Sequence, residues 1–403
     1  MNQSTGIQYQ LSAAKTPQDV SNASLLGVGS DVVIAFLQAL SARLLKSPQM
    51  KPYPDIIALG FWLRDAQVNQ WLNQLRPHNA NVLIKPVGCV VHYTPNNVDS
   101  MFMYSWICAL LAGNNNIVRL GSGQSEAKRL LLTTVEALFA EPAFHAVAER
   151  NMLLYFDKTS PLNAELAALA DARMLWGGDE SVQRIREFAA KPRCRDISFA
   201  DRYSATVIDP GAESESAQLE KAAALLWQDS KAHHQLACSS PRVIFWLGDD
   251  DSLRQFAALL NSQAEQQDSA PERLVGQSRA NEHLITAQLL QMQGKADAPL
   301  CNKRVCLLPV HTLNDALLAQ HNGDGLFYVK SINNLAALQN ELPAKVQTLT
   351  YWGVEQGALL KLLADPSIQG VDRCVSIGKA LTFAPDWDGY RLFTDLTRYV
   401  HLD

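Results

Sequence analysis

Short apolar segments alternate with helical patterns along most of this 403-residue chain, and this alternation limits what it can fold into. The apolar segments lie at residues 117–120, 151–156, 173–176, 243–246, 326–331 and 346–351. Strands that alternate with helices form βαβ units, whose strands lie parallel in one sheet. The sequence therefore predicts an α/β fold built on parallel sheets. Its length favours more than one domain, because a single hydrophobic core rarely extends so far.

The local pattern also predicts individual elements. We expect helices over residues 31–45, 56–74 and 99–111, after a polar leader at the N-terminus. Further along, residues 268–272 look like a turn-rich break, with a helix following near 281–292. The periodicity of apolar residues is the basis of each of these predictions.

Charge and composition exclude several classes of protein. The net charge is −5, and the basic residues are scattered, so we expect no nucleic-acid surface. The N-terminus lacks the basic and apolar regions of a secretory signal. The longest apolar run, residues 101–112, is too short to span a bilayer. We therefore expect a cytoplasmic protein without a membrane span.

The seven cysteines are an odd number and widely spread, which predicts free thiols and a reducing compartment. Cys301 and Cys306 lie five residues apart, which fits no common zinc ribbon, and no histidine pair accompanies them. We therefore expect no metal site.

One cysteine has a setting that suits a nucleophile. Cys238 lies within the segment QLACSSPR, residues 235–242, directly before the apolar run 243–246. Small neighbours leave a thiol accessible, while a buried strand behind it holds it in place. A thiolate is a strong nucleophile that forms thioesters readily. The alternative is a small buried core residue, which is what most single cysteines are.

Three other motifs carry candidate binding groups, each with a simpler alternative. In GCVVHYTPNNV, residues 88–98, the side chain of Asn97 can donate a hydrogen bond to an oxyanion, or it can cap the next helix. In GNNNIVRL, residues 113–120, Arg119 can hold a cofactor ribose or phosphate, or can be solvated. In LWGGDES, residues 175–181, Gly177 and Gly178 can admit a pyrophosphate, or form a tight turn.

Taken in this order, the motifs resemble the aldehyde dehydrogenase superfamily. Its pattern is a Pro-x-Asn turn, then Gly-Asn-x-x-x-x-Lys, a glycine turn, and a cysteine followed shortly by arginine. Within it, the chain is most similar to the acyl-CoA reductase branch typified by the bacterial luciferase fatty-acid reductase subunit. The segments VQT, VDRCVSIG, WDGY and LTRYV, which begin at residues 346, 371, 387 and 396, add to this resemblance. It covers about residues 80–403.

The resemblance implies two Rossmann-like parallel-sheet domains with the active site between them. We predict a cofactor-binding domain over residues 1–205 and a catalytic domain bearing the cysteine over 206–375. A C-terminal segment, 376–403, would return to the cofactor domain or lie at an oligomer interface. Members of the superfamily are usually oligomers, which implies a homo-oligomer here.

The resemblance also implies a reaction. Cys238 would attack a fatty acyl-CoA or acyl-carrier substrate to give a thioester, and Asn97 with the backbone N–H of Cys238 would form the oxyanion hole. Hydride from NADPH would then yield an aldehyde. Arg119 occupies the position of the superfamily's cofactor-binding lysine, and a guanidinium suits a 2′-phosphate. Gly177 and Gly178 would line the cofactor. An acyl-protein synthetase is an implied partner.

Two departures from the superfamily pattern bear on the reaction. The segment ISFADRYSA, residues 197–205, lacks the glutamate that activates water to hydrolyse the thioester. Asp201 can replace it, but a surface ion pair with Arg202 is the simpler interpretation. The Glu-x-Phe-Gly-Pro cofactor motif is also missing near residues 325–327. The alternatives are an acylating aldehyde dehydrogenase acting in the reverse direction and a non-catalytic homologue that binds acyl groups or a partner.

Overall fold

The computed structural model describes residues 7–76, 81–95, 98–211 and 216–402. The chain divides into two compact units. Unit 1 consists of Met1–Ala200 together with Phe383–Asp403, and unit 2 consists of Asp201–Thr382.

The strands are β1 Ile7–Leu11, β2 Val82–Pro86, β3 Cys89–Tyr93, β4 Asn115–Arg119, β5 Asn151–Phe156, β6 Ala172–Trp176, β7 Arg195–Phe199, β8 Tyr203–Ile208, β9 Pro241–Trp246, β10 Leu300–Cys301, β11 Cys306–Pro309, β12 Leu326–Ser331, β13 Val346–Trp352, β14 Arg373–Ser376, β15 Asp386–Trp387, β16 Tyr390–Arg391 and β17 Thr397–His401. The helices are α1 Pro17–Asn22, α2 Asp31–Lys46, α3 Pro54–Trp62, α4 Asp65–Gln74, α5 Met101–Leu111, α6 Glu126–Phe139, α7 His145–Ala148, α8 Leu162–Leu169, α9 Asp179–Arg186, α10 Ser216–Lys231, α11 Asp250–Gln267, α12 Ala270–Met292, α13 Asp315–Leu318, α14 Leu338–Glu341, α15 Gln356–Leu363 and α16 Leu392–Asp395.

Unit 1 is built on a six-stranded sheet in the order β1-β5-β4-β3-β6-β7. All neighbouring strands are parallel except β1, which runs antiparallel to β5. Every residue of α5 is buried, so the longest apolar run of the sequence is a core helix. No single helix in the described ranges is both long and apolar enough to cross a membrane. Helix α6 and the segment Pro142–Ala148 after it pass that test as a pair, but the chain bends by 94° between them.

Unit 2 is built on a seven-stranded sheet in the order β10-β11-β12-β9-β8-β13-β14, parallel except at β10. Alternate strand residues enter two separate hydrophobic clusters: Val207 and Val243 enter one, and Ile208 and Ile244 enter the other. Both faces of this sheet are therefore covered, as is usual for parallel sheets. The predicted α/β fold with parallel sheets is confirmed.

Three element predictions need correction. The helix expected over 56–74 is two helices, because Arg64 is extended and α4 begins at Asp65. The break expected over 268–272 is confined to Asp268 and its neighbour, and α12 already begins at Ala270. Pro271 is compatible with that first turn, where its missing N–H needs no acceptor. The polar leader contains β1, which pairs with β5.

The expectation of free thiols is wrong for two cysteines. Cys301 and Cys306 form a disulfide, because the antiparallel pairing of β10 with β11 places them directly opposite each other. The five-residue spacing of these two cysteines therefore reflects a β-hairpin, in which they lie on opposite strands. The other cysteines, Cys89, Cys108, Cys194, Cys238 and Cys374, are not in disulfides.

Candidate active site

Cys238 lies in the turn that leads into β9, one of the inner strands of the unit 2 sheet. Its side chain is half-buried, and the serines that follow it are buried. The Ser204 hydroxyl on β8 donates a hydrogen bond of 2.7 Å to the carbonyl oxygen of Cys238. The same hydroxyl accepts a 3.3 Å hydrogen bond from the Thr348 N–H on β13. The turn is thus tied to two strands of the sheet as well as leading into a third.

The Arg242 guanidinium interacts electrostatically with this thiol. Burial lowers the pKa of its guanidinium, and the charges of Asp201 and Cys238 act in the opposite direction. Its Nε is buried and has no hydrogen-bond partner within the described residues. A neighbouring cation stabilises a thiolate relative to a thiol. The site can therefore hold a nucleophilic sulfur.

His234 is the second basic residue near Cys238 in sequence, and it interacts with another group. Its Nδ1 lies 3.6 Å from Oδ2 of Asp324, and the Asp324 carboxylate raises the pKa of the imidazole. The side chain of His234 is 63% exposed. This pairing with a residue ninety positions away could not be read from the local sequence.

In the region of the missing glutamate, the charged side chains of Asp201 and Arg202 both form ion pairs. The Asp201 carboxylate is exposed and lies 3.8 Å from the Lys345 ammonium. Arg202 forms an ion pair with Asp372 and donates to the Val346 carbonyl at 2.8 Å. Both side chains thus interact with residues of the 345–372 region.

In unit 1, a small open cleft lies where β3 and β4 end. Its lining residues are Thr94, Pro95, Val98, Asp99, Phe102, Gly121, Gly123 and Lys128. Asn97 falls in the same stretch of sequence, but it lies outside the described residues. Ligands of open parallel sheets bind at the carboxyl ends of the strands. The cleft is therefore where a nucleotide would be expected.

Lys128 brings a positive charge into this cleft, and it was not singled out from the sequence. Its ammonium donates to the carbonyl oxygens of Gly121 and of Gly123, the latter at 3.0 Å. Burial lowers its pKa, opposed by the charge of Asp99. An ammonium has three donors, so one remains for an anionic ligand after the two bonds made within the described residues. The one sequence feature that could have pointed to Lys128 as a binding residue is its position in the first turn of α6, directly after a glycine-containing loop.

Arg119 ends β4 but is not among the residues that line the cleft. Its guanidinium lies 5.2 Å from the centre of the Phe156 ring, and its Nη2 is 3.5 Å from the Phe156 carbonyl oxygen. Burial lowers its pKa, and its Nε is buried without a partner in the part of the chain that the structure describes. An unpartnered buried donor of this kind fits an anionic ligand.

Gly177 and Gly178 join β6 to α9. Gly177 has a φ of 152°, which favours glycine, and its N–H donates to the Phe199 carbonyl oxygen at 3.2 Å. Gly178 precedes the first residue of α9, and a Cβ added to it would meet no atom within 4 Å. The space outside the start of α9 is therefore open, which fits the approach of a phosphate to a helix N-terminus.

Within the described ranges, no group of three or more His, Cys, Asp or Glu side chains is placed to hold a metal ion.

A family model described as acyl-CoA reductase (LuxC) matches residues 67–399 of the chain. The chain belongs to this acyl-CoA reductase family. Membership supports an oxidoreductase, and fatty acyl reduction to an aldehyde at the level of the family. The resemblance stated from the motifs is thereby confirmed. A search among curated proteins finds no match.

Similar solved structures include aldehyde dehydrogenases. The substrate-bound AldH of Staphylococcus aureus has a TM-score of 0.65 at 13% identity, covering 96% of this chain and 93% of that one. PnpE from Pseudomonas sp. WBC-3 has a TM-score of 0.64 at 14% identity, covering 94% and 86%. An NAD-dependent benzaldehyde dehydrogenase from Corynebacterium glutamicum has a TM-score of 0.63 at 12% identity, covering 96% and 84%. These likenesses confirm the aldehyde dehydrogenase fold.

Proposed function

We propose that this protein uses NADPH to reduce a fatty acyl thioester, carried by CoA or by an acyl carrier, to an aldehyde through a thioester on Cys238. The observation that carries the proposal is the Cys238 turn. It presents a half-buried thiol that interacts electrostatically with the half-buried cation Arg242, in a chain of the acyl-CoA reductase family. A thiol in that setting suits acyl transfer.

The first step needs only residues of this chain. The Cys238 thiolate attacks the acyl carbonyl carbon and forms a new C–S bond. The backbone N–H of Cys238, together with Asn97, stabilises the resulting oxyanion. The oxyanion then collapses, the original C–S bond breaks, and the CoA or carrier thiol leaves with a proton from solvent. When bound, the reduced nicotinamide supplies the hydride that turns the enzyme thioester into an aldehyde. Cys238 is released as a thiolate, which can attack the next acyl substrate.

The surroundings of Cys238 favour reduction over hydrolysis. The segment that bears the water-activating glutamate in aldehyde dehydrogenases contains none here, and the carboxylate of Asp201 lies near Lys345. Without a general base, water attacks a thioester slowly. We therefore expect the acyl group to remain on Cys238 until a hydride or another thiol reaches it.

Unit 1 has groups that fit a phosphorylated nicotinamide cofactor. Lys128 offers a charged donor inside the cleft, and Arg119 offers an unpartnered Nε at the end of the adjacent strand. Gly177 and Gly178 leave open space before α9. We assign Arg119 to the 2′-phosphate and the two glycines to the pyrophosphate. The NAD-dependent benzaldehyde dehydrogenase among the structural neighbours supports a nicotinamide cofactor.

The test is acylation of the purified protein by dodecanoyl-CoA without NADPH, followed by intact mass spectrometry. We expect one dodecanoyl adduct on wild-type protein and none on Cys238→Ala. Cys194→Ala, which removes another half-buried thiol, is the control and should be labelled normally. Adding NADPH should discharge the adduct, with one NADPH oxidised for each acyl group.

Two results would contradict the proposal. Labelling that persists in Cys238→Ala would exclude Cys238 as the nucleophile. A stable adduct that NADPH never discharges would indicate a homologue that binds acyl groups without turnover.

A further inference from the structure

The three residues His233, His234 and Gln235, which begin the Cys238 turn, share an unusual backbone conformation. Their φ angles are 52°, 54° and 60°, in the left-handed region. None of them is a glycine, so each has a Cβ that disfavours this conformation. Such conformations persist only where the surrounding structure enforces them, and they concentrate at functional sites.

A second left-handed turn, Gly323 to Gly325, packs against the first. The φ angles of Gly323, Asp324 and Gly325 are 73°, 56° and 103°. The N–H of Asp324 donates to the His234 carbonyl oxygen at 3.0 Å. A Cβ on Gly323 would come within 2.5 Å of that same oxygen, so the close approach of the two turns requires glycine.

The carboxamide of Gln235 joins both turns to the sheet. The side chain is completely buried. Its Nε2 donates to the carbonyl oxygens of Pro241 at 2.8 Å and Leu326 at 3.0 Å, and its Oε1 accepts from the Gly325 N–H at 2.9 Å. Gln235 lies three residues before Cys238 and Pro241 lies three residues after it. One side chain therefore closes the loop that has the candidate nucleophile at its centre.

Buried charges hold the second turn in place. The Arg304 guanidinium donates to the Asp324 carbonyl oxygen at 2.5 Å and to its Oδ1 at 3.0 Å. It also donates to Oδ2 of Asp268 at 2.6 Å, while Trp227 Nε1 donates to the other oxygen of Asp268 at 3.1 Å. Hydrogen bonds to buried charged groups are stronger than those between neutral groups. The turn against which Gln235 packs is thus anchored to α10 and to the junction between α11 and α12.

We propose that Gln235 is a positioning residue: its three hydrogen bonds hold the Cys238 turn in the shape that acyl transfer needs. The inference rests on the proposed function, in which the backbone N–H of Cys238 stabilises an oxyanion. Such a donor must already be aimed when the oxyanion forms. The side chain touches neither substrate nor cofactor in this role and acts only through the turn.

The test compares two reactions of the same thiol. Acylation by dodecanoyl-CoA passes through an oxyanion, whereas alkylation by iodoacetamide displaces iodide and forms none. In Gln235→Met, which keeps the length of the side chain but not its hydrogen bonds, acylation of Cys238 should slow at least tenfold. Alkylation should stay within about threefold of wild type. The NADPH dissociation constant, measured by nucleotide fluorescence, should also stay within about twofold.

The matched control is Gln263→Met. Gln263 is a buried glutamine of α11 in the same unit, whose Nε2 donates to Glu220 at 3.1 Å. It should leave the ratio of acylation to alkylation unchanged. If circular dichroism shows that Gln235→Met does not fold, Gln235→Asn is the variant to test. Asparagine keeps the amide and tolerates a left-handed φ, but it is too short to reach all three partners. A severalfold fall in the ratio is expected.

Several outcomes would overturn the inference. If acylation and alkylation fall together, Gln235 only preserves the thiol or the fold; if neither changes, it has no positioning role. Either result leaves the proposed function standing, provided that the wild-type protein is acylated. A wild-type protein that is alkylated at Cys238 but never acylated would remove the proposed function, and this inference with it.

Discussion

Among single residues, the two cations Arg119 and Lys128 occupy different surroundings at the carboxyl end of the unit 1 sheet. Lys128 lies inside the cleft and is bonded to the carbonyl oxygens of Gly121 and Gly123. Arg119 lies toward the end of β5, over the Phe156 ring. An ammonium acts as a point charge, whereas a guanidinium can contact a phosphate with two donors. We therefore expect Lys128 to contact a phosphate that both nicotinamide cofactors share, and Arg119 to favour NADPH.

Arg119→Ala should weaken NADPH binding at least about tenfold and NADH binding much less, because one charge-assisted contact is worth about 1.5 kcal/mol or more. Lys128→Met should weaken both nucleotides alike. Arg129→Ala, which removes an exposed cation of α6 that pairs with Glu126, is the control and should change neither. The measurement is fluorescence titration with each nucleotide. An equal loss of NADPH and NADH in Arg119→Ala would disprove the 2′-phosphate assignment.

The sequence identified Cys238 because its surroundings are local: a short turn followed by a buried strand. Lys128 was missed because its importance depends on where α6 starts relative to β3, which no spacing in the sequence reveals. The contacts of Gln235 with Gly325 and Leu326 were missed for the same reason, since they join segments ninety residues apart. The roles of Asn97, Arg119, Gly177 and Gly178 stay predictions.

Among the elements, α10 carries a buried acid whose charge costs stability. Asp229 is 1% exposed, and burial raises its pKa to about 7 from 3.8, opposed by the N–H groups of Gly378 and Ala380. Those groups donate to its two carboxylate oxygens at 2.6 and 3.0 Å. The acid therefore links α10 to the segment after β14.

The raised pKa predicts a specific dependence of stability on pH. Between pH 4 and 7 the folded state holds a proton on Asp229 that the unfolded state has lost, so the contribution of this carboxyl to the free energy of unfolding falls as pH rises and levels off above pH 7. The slope is at most about 1.4 kcal/mol per pH unit for one proton. Asp229→Asn should remove this slope, whereas Asp251→Asn, at an exposed carboxylate, should keep it. Urea unfolding at pH 5, 6, 7 and 8 is the measurement. Parallel curves for wild type and Asp229→Asn would contradict the prediction.

The bounds of some elements could be predicted from the local sequence pattern, and those of others could not. Strands β5 and β12 were predicted with the bounds observed, because buried parallel strands read as continuous apolar runs. Helices α3 and α4 were merged, since the break at Leu63 and Arg64 involves residues that are ordinary in helices. The start of α12 was placed too late, since residues 268–272 were read as a turn-rich break although Pro271 lies in the first turn of the helix.

For the whole molecule, the fold class followed from the alternation of strands and helices, which is a property of the entire chain. Which residues belong to unit 1 depends instead on contacts between its two segments, residues 1–200 and 383–403. Strand β17 pairs with β2 along its full length, from Thr397 opposite Pro86 to His401 opposite Val82. The side chain of Asn114 donates to the Leu396 carbonyl oxygen at 3.0 Å, and Arg195 donates to those of Asp395 and Thr397 at 2.7 Å. Hydrogen bonds between residues so far apart in the sequence cannot be predicted from a local pattern of residues.

Deleting residues 383–403 should therefore destabilise unit 1 and spare unit 2. The deletion exposes β2 and the ring of Tyr104, against which Phe383 stacks with ring centres 5.4 Å apart, and it leaves the buried amide of Asn114 without one acceptor. Hydrogen exchange followed by mass spectrometry should show faster exchange in β2, β3 and α5.

Peptides from β8 and β9 should stay protected, because residues 201–382 form a unit with its own core. A chain shortened only by its last two residues is the control and should match wild type. Unchanged protection of β3 in the longer deletion would show that unit 1 does not depend on its C-terminal segment.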